Sequence, residues 1–333
     1  MMKIEQRTFR RKMLFIVLPV FLLLASIYGL TYGSVPLSLV DVWNALTNQG
    51  TDIQETIIKD LRLPRVIIGL LVGACLAVSG ALLQGVMKNP LADPGIIGVT
   101  AGGGLAACVI MLIFPALSYL LPLAAFAGAF LTSLIIYFLA WDKGASPLKI
   151  ILAGVAISAL LSAVQSGIMN IYSDRVQSVL SWLSGGLSGR SWYHLEFMYP
   201  YALTGLALSF FAIKPVNLLL LGDDSAKLLG QRVELTRLII ILIASFLAGA
   251  AVSVAGLVGF VGLVVPHIIR ILIGSDYRYL LPFSALGGAS LVVFADTIAR
   301  SWFDPIELPV GILLAAIGAP FFMILLKKRS LVG

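Results

Sequence analysis

The chain predicts an all-α, polytopic membrane protein with about ten transmembrane helices, and three observations carry that expectation. Apolar residues make up 59% of the 333 and charged ones 12%, with a mean hydropathy of +1.02. Soluble domains use about 25% charged residues, so this composition leaves too little charge to cover a soluble surface. The charges sit almost entirely in gaps between long apolar blocks of about 20 residues, the length a helix needs to cross hydrocarbon. Strand alternation is absent, which excludes a barrel, and a helix satisfies its own backbone polar groups in lipid.

Taken from the N-terminus, block 13–32 follows a basic stretch like a signal peptide, yet no small-residue cleavage site ends it. It reads as a retained first helix. A long outer loop, 33–61, carries Asp41, Trp43, Asp52, Glu55 and Asp60. Block 63–86 then crosses to the inner segment Asn89-Pro-Leu-Ala-Asp-Pro-Gly95, a turn by composition. Blocks 96–114, 119–140 and 148–171 follow. The outer segment 172–195 holds Trp182, Gly185, Gly186, Gly189 and Trp192, a composition suited to a short interfacial helix. Block 196–213 leads to the largest cytoplasmic feature, loop 214–237. Block 236–256 is full length, whereas 258–274 is short enough to be a bent or half-length span. Blocks 279–302 and 306–326 flank a short outer turn with Pro305 and Pro309.

Lys and Arg set the orientation. With the N-terminus inside, the inner segments hold Lys3, Arg7, Arg10, Arg11, Lys12, Lys88, Lys143, Lys149, Lys214, Lys227, Arg232, Arg237, Arg270, Arg278, Lys327, Lys328 and Arg329, which is 17 of 23. The positive-inside rule then places both termini in the cytoplasm. The net charge of +7 is therefore a topology signal, and a nucleic-acid partner is not expected. Cys75 and Cys108 lie inside apolar blocks and read as small core residues.

One repeat stands out. Val72-Gly-Ala-Cys-Leu-Ala-Val-Ser-Gly80 parallels Ala248-Gly-Ala-Ala-Val-Ser-Val-Ala-Gly256, and Pro90 and Pro266 each follow ten residues on. Gly73 and Gly80, and Gly249 and Gly256, fall two turns apart on one face, a spacing that lets membrane helices pack closely. The first copy begins outside and the second inside, so the repeats are inverted, as in many transporters. Chance recurrence of small residues in membrane helices is the competing explanation. The domain expectation is a single transmembrane unit over 1–333, with a first repeat at about 61–171, a second at about 235–327, and the cytoplasmic loop 214–237 between them.

Enzymatic chemistry finds no support. There is no phosphate-binding loop of the Walker type. The two histidines, His194 and His267, are far apart, and no metal-ligand spacing occurs. Asp296 is the clear intramembrane acid, the kind of group that marks function in lipid. Arg300 lies four residues on, so a same-face pair is the plain reading, and proton coupling through Asp296 the alternative.

Three further sets of residues break the apolar pattern. Gly222-Asp-Asp-Ser-Ala-Lys-Leu-Leu-Gly-Gln231 has a helix's punctuation: Asp223 or Asp224 to cap it, Ala226 within it, and Gly230 to end it in the left-handed conformation. Its Leu228–Leu229 tip is either a docking peg or part of an ordinary connector. Block 148–171 places Ser158, Ser162, Gln165, Ser166, Met169 and Asn170 on one side, a stripe that lines a path or bonds to neighbouring helices. Arg62, Arg65 and Arg300 stand at outer helix ends against the positive-inside trend. They could receive acidic side chains of an external partner, or contact headgroup phosphates.

Together these motifs resemble the FecCD-type permease family of ATP-binding-cassette importers, which takes up iron–siderophores, cobalamin and haem. The resemblance runs in order through Leu61-Arg-Leu-Pro-Arg65, Ser79-Gly-Ala-Leu-Leu-Gln84, Asn89-Pro-Leu-Ala-Asp-Pro-Gly95, Gly259-Phe-Val-Gly-Leu-Val-Val-Pro-His267, Leu281-Pro282, Ala295-Asp296 with Arg300, Glu307-Leu-Pro-Val-Gly311 and Gly318-Ala-Pro-Phe321. It implies a permease of the bacterial cytoplasmic membrane carrying a ferric siderophore, with cobalamin or haem as alternatives. The implied partners are a second permease subunit, identical or homologous, two cytoplasmic ATP-binding subunits, and an extracytoplasmic binding protein or lipoprotein. No cofactor or metal is expected in this chain, since ATP and Mg belong to the partner subunit. Arg62, Arg65 and Arg300 fall where the family receives the binding protein's acids. Asp224-Ser-Ala-Lys-Leu-Leu-Gly230 falls where it places the coupling segment, with Ser for the usual first Ala, and block 148–171 is the family's path-lining helix. The rival classes are a proton-driven carrier using Asp296 and a non-transporting scaffold.

Overall fold

The structure, a computed structural model, describes residues 4–142, 144, 146–303 and 306–330, with the side chains of 4–6, 324–326 and 328–330 outside the description. The expectations placed on Lys3, Lys143, Pro305 and the side chains of Lys328 and Arg329 therefore lie outside the described residues. The ten blocks are ten apolar helices: α1 (Ile4–Thr31), α2 (Leu63–Val86), α3 (Val99–Cys108), α4 (Leu121–Leu139), α5 (Pro147–Ile171), α6 (Trp192–Phe211), α7 (Val233–Ala255), α8 (Val261–Ile273), α9 (Tyr277–Ser301) and α10 (Val310–Ser330). Among the described residues, six stretches are long and apolar enough to cross a membrane singly. α6 with Ile213–Leu219, bent by 52°, makes a seventh. α8 has 13 residues and so reaches about 20 Å, short of a hydrocarbon core about 30 Å thick. It is a half-length span.

Local chemistry sets several ends. Ser146 caps α5 by accepting from the Lys149 N–H, and Pro147 occupies the first turn, where its missing N–H costs nothing. Asp276 caps α9 by accepting from the Arg278 N–H. Segment 33–61 is more ordered than its charges suggest. It holds a capped helix, Leu39–Leu46, and helical backbone from Asp52 that runs through a π-helical turn, Thr56–Arg62, into α2. Pro64 cannot donate to a carbonyl one turn back, a standard reason for a helix to widen at that point.

α2 is the hub. It packs on α9, α7, α8 and α6, and its most apolar stretch is 83% buried, against 22% for α1 and 11% for α5. Close approach makes this possible. A Cβ on Gly73 would collide with the carbonyl of Gly288 in α9, and one on Gly80 with the carbonyl of Gly262 in α8. Polar groups inside the bundle are bonded across helices: Ser79 Oγ donates to the Ala244 carbonyl at 2.6 Å, and Tyr277 Oη to the Ala81 carbonyl at 2.7 Å.

The second glycine pair behaves differently from the first. Gly249 faces the ring of Phe126 in α4, and a Cβ there would meet it at 3.3 Å. Gly256 sits at a helix end and not within a crossing of two long helices. It ends α7 with φ +69°, where a side chain would be strained and would strike the carbonyl of Trp182. Across the offset of 176, α2 continues to Val86 while its counterpart stops at Ala255. Likewise Pro90 lies in a turn and Pro266 inside α8.

The end of α7 is bonded to the turn after the short helix Val176–Leu183, and that turn to the start of α10. The Gly186 N–H donates to the Ala255 carbonyl at 2.8 Å, and the Gly311 N–H to the Gly185 carbonyl at 2.9 Å. Non-helical backbone in an apolar bundle persists only where protein covers it, and here the turn at Gly185 and Gly186 lies between two helix ends.

Candidate functional site

At the end of the bundle where α1 finishes, the structure brings Arg62, Arg65 and Arg300 together around one cavity of about 310 Å³, also lined by Arg190 and Glu307. None of the three is an exposed cation, with relative exposures of 5%, 9% and 6%. Arg62 donates to the carbonyls of Leu30 at 2.7 Å, Thr31 at 2.9 Å and Val35, and Arg300 donates to the carbonyl of Gly29. The last carbonyls of a helix have no partner within it and attract cations, so two guanidinium groups close the C-terminus of α1.

Arg65 makes the strongest contact. Its Nε and Nη2 meet Asp296 Oδ2 and Oδ1 at 2.8 and 3.0 Å, and its Nη1 meets Glu307 Oε2 at 3.0 Å. A planar fork on a carboxylate is the geometry that makes such pairs strong. The Asp296–Arg300 pair expected within one helix is thus replaced by a pair between α2 and α9. Arg300, one turn further out, reaches the end of α1 instead. Partial burial pushes the Glu307 carboxyl up, but Arg65, Ser188 and Arg300 outweigh it and hold it below the ordinary range. A second cavity, of about 420 Å³, opens beside the first and shares Arg65, Arg190 and Glu307 with it. Trp182, on the short helix Val176–Leu183, lines it.

At the opposite end, Asp223–Leu228 forms the short helix that its punctuation predicts, with one correction at each aspartate. The N-cap is Gly222, without a side-chain cap bond. Asp223 turns away to meet Lys88 Nζ at 2.7 Å and Arg237 Nη2 at 3.0 Å, while Asp224 stays exposed. The two cations explain the choice, since a carboxylate gains more from them than from one backbone N–H. Burial pushes the Asp223 carboxyl up, yet the bonds from Lys88 and Arg237 prevail and lower it. Gly230, at φ +82°, closes the helix in a Schellman motif: its N–H bonds to the Lys227 carbonyl and that of Gln231 to the Ala226 carbonyl, both at 2.9 Å. Ala226 is buried, whereas Leu228 and Leu229 are 89% and 60% exposed. The result is a clamped, rigid helix with a bare apolar tip.

The polar stripe of α5 lies at the edge of the bundle. Ser158, Gln165 and Met169 are half-buried, with Gln165 Nε2 at 3.9 Å from Met169 Sδ, while Ser162, Ser166 and Asn170 are exposed. Asn170 Nδ2 bonds back to the Ser166 carbonyl at 3.0 Å. The exposed members of the stripe face away from the bundle.

Four residues of these sites carried no functional reading in the sequence. Arg190 and Glu307 join the arginine cavities, and Lys88 and Arg237 hold the short helix. A signal existed for Arg237, a charge at the edge of apolar block 236–256. Lys88 read only as a topology marker, and nothing local distinguished Arg190.

Comparison with known proteins gives concordant results. A family model described as the FecCD transport family matches residues 21–328. The Fe(3+)-citrate import system permease protein YfmD of Bacillus subtilis is 42% identical over 97% of this chain and 97% of its own length. The iron(3+)-hydroxamate import system permease protein FhuB of the same organism is 42% identical over 92% of this chain and 81% of its own. A solved inward-facing structure of a metal-chelate type ABC transporter superposes with a TM-score of 0.82 at 33% identity, covering 95% of this chain and 99% of that one.

Proposed function

Because the chain belongs to the FecCD transport family, we propose that it is the membrane-spanning permease of an ATP-driven importer and that its cargo is a ferric siderophore. The observation that carries this reading is the pairing of a clamped helix with an apolar tip at one end and an arginine-lined cavity at the other. Two ATP-binding subunits, holding ATP and Mg, engage the Leu228–Leu229 tip from the cytoplasm, where both termini also lie. An extracytoplasmic binding protein delivers cargo to the face that holds Arg62, Arg65 and Arg300. Its carboxylates exchange with Glu307 and the carbonyls that now occupy those guanidinium groups. A second permease subunit, identical or homologous, covers α5, so the exposed Ser162, Ser166 and Asn170 line a path between the two chains. Weak polar groups suit a path that must release its cargo, because affinity resides in the delivery protein.

The rival carrier would need Asp296 free to take and lose a proton, and Arg65 holds it in a two-bonded ion pair. Vesicles containing the permease, its ATPase and a loaded binding protein should accumulate ferric chelate only with ATP. Uptake that persists under ATP depletion with a held proton gradient would overturn the importer reading.

Two sites have direct tests. Leu228→Asp with Leu229→Asp puts charge on an exposed tip whose neighbours do not depend on it, so folding should be unaffected. Co-purification of the ATPase subunit is expected to fall about tenfold or more, as when a buried apolar anchor is lost from an interface. Unchanged co-purification would remove the tip from the coupling interface. Arg62→Glu should weaken capture of the loaded binding protein about tenfold or more, since a repulsive charge replaces a complementary one. The thermal midpoint of the same variant separates lost docking from the lost closure of α1.

A further inference from the structure

We propose that the groove between α1, α8, α9 and α10 holds an acyl chain of an anionic phospholipid, with the phosphate bound at Arg7 and Arg11. The groove has a volume of about 390 Å³, and Leu14, Phe260, Leu272, Gly287, Leu291 and Ile317 are among its lining residues, all of them apolar or glycine. It offers a water molecule no side-chain partner, so it is not a hydration site. On α9 the lining runs from Gly287 to Ile298, a rise of about 17 Å at 1.5 Å per residue. That matches one leaflet of a hydrocarbon core about 30 Å thick.

The charge at one mouth decides what kind of lipid fits. Leu14, Leu18 and Phe21 of α1 line the groove, and Arg7 and Arg11 continue the same helix face toward the N-terminus at spacings of four and three. The guanidinium of Arg11 lies 4.1 Å above the Tyr279 ring and donates to the Ile273 carbonyl at 3.2 Å. Arg7 reaches Gly274, where a Cβ would lie 3.6 Å from its Nη1. Both cations therefore stand just beyond Leu272, at the end of the groove. The Nε–H of each is buried without a hydrogen-bond partner, and neither forms an ion pair among the described residues. An unsatisfied buried donor is costly, and a phosphate oxygen is the acceptor that a leaflet supplies at that depth. The occupant must be apolar along its length and anionic at one end.

Native mass spectrometry of the full chain in detergent, titrated with phosphatidylglycerol or phosphatidylcholine, tests this independently of transport. Phosphatidylglycerol should bind about 30-fold more tightly, the effect expected of two arginines at an anionic headgroup. Arg7→Gln with Arg11→Gln should erase that preference, and the corresponding lysine pair should keep most of it. Ile317→Trp, which fills the groove from α10, should reduce retention of both lipids without touching the arginines. Equal affinity for the two lipids in the unmodified chain would overturn the proposal. So would a preference that survives the glutamine pair or is lost in the lysine pair, or retention indifferent to Ile317→Trp.

Discussion

Replacing Asp296 by alanine is expected to destabilise the folded chain by about 3–5 kcal/mol, the cost of stranding one member of a buried ion pair. The partners are 10% and 6% exposed, so water screens little of this interaction. Glu307 remains to share the Arg65 charge, which places the effect toward the lower bound. Arg65→Met with Asp296→Leu should recover most of the loss, because apolar groups of similar volume replace both charges together. Thermal unfolding in detergent, followed by tryptophan fluorescence, measures Asp296→Ala and the four corners of the cycle formed by Arg65→Met and Asp296→Leu. Under the proposed docking role, the double variant folds but no longer responds to the loaded binding protein. A double variant as unstable as the sum of the two singles would mean that the pair does not act as a unit.

The second large effect is expected at Gly80. A valine there must displace the Gly262 backbone, and Gly73→Val must displace that of Gly288, because in each case the obstacle is a carbonyl. Overpacking typically costs about 1–3 kcal/mol, and more where no side chain can yield. Each substitution should therefore abolish recovery of monodisperse protein. Gly249→Ala is the contrast, since its neighbour is the edge of the Phe126 ring, which can turn aside. The comparison is read by size-exclusion yield at equal expression. Equal yields for Gly80→Val and Gly249→Ala would show that α2 does not need its close crossing with α8.

Much of this architecture is legible in the sequence because lipid imposes it. All ten apolar blocks are helices, and the shortness of α8 could be read from its length alone. The start of the second helix could not: Asp52, Glu55, Lys59, Asp60 and Arg62 resemble a loop, yet helix extends through them beyond the apolar stretch. Pairing across the fold was equally hidden. Arg65 and Asp296 are 231 residues apart, and the nearer arginine at 300 offered the simpler partner. Gly256 shows the limit of repeat arguments, since identical spacing serves a helix crossing in one half and a helix end in the other. Asp223 shows the limit of capping rules, which do not know that Lys88 and Arg237 will arrive.

α7 connects two features at opposite faces. Near its start, Arg237 grips Asp223, and at its finish the Ala255 carbonyl binds Gly186, three residues from Leu183, where the Trp182 helix ends. The 18 residue steps from Arg237 to Ala255 span about 27 Å of continuous α-helix. Close-packed interiors scarcely compress, so such a rod acts as a piston rather than a spring. Under the proposed import role, a stroke delivered by a nucleotide-driven motor at one membrane surface would arrive at the other, gearing the two ends together and keeping the conduit from standing open at both at once.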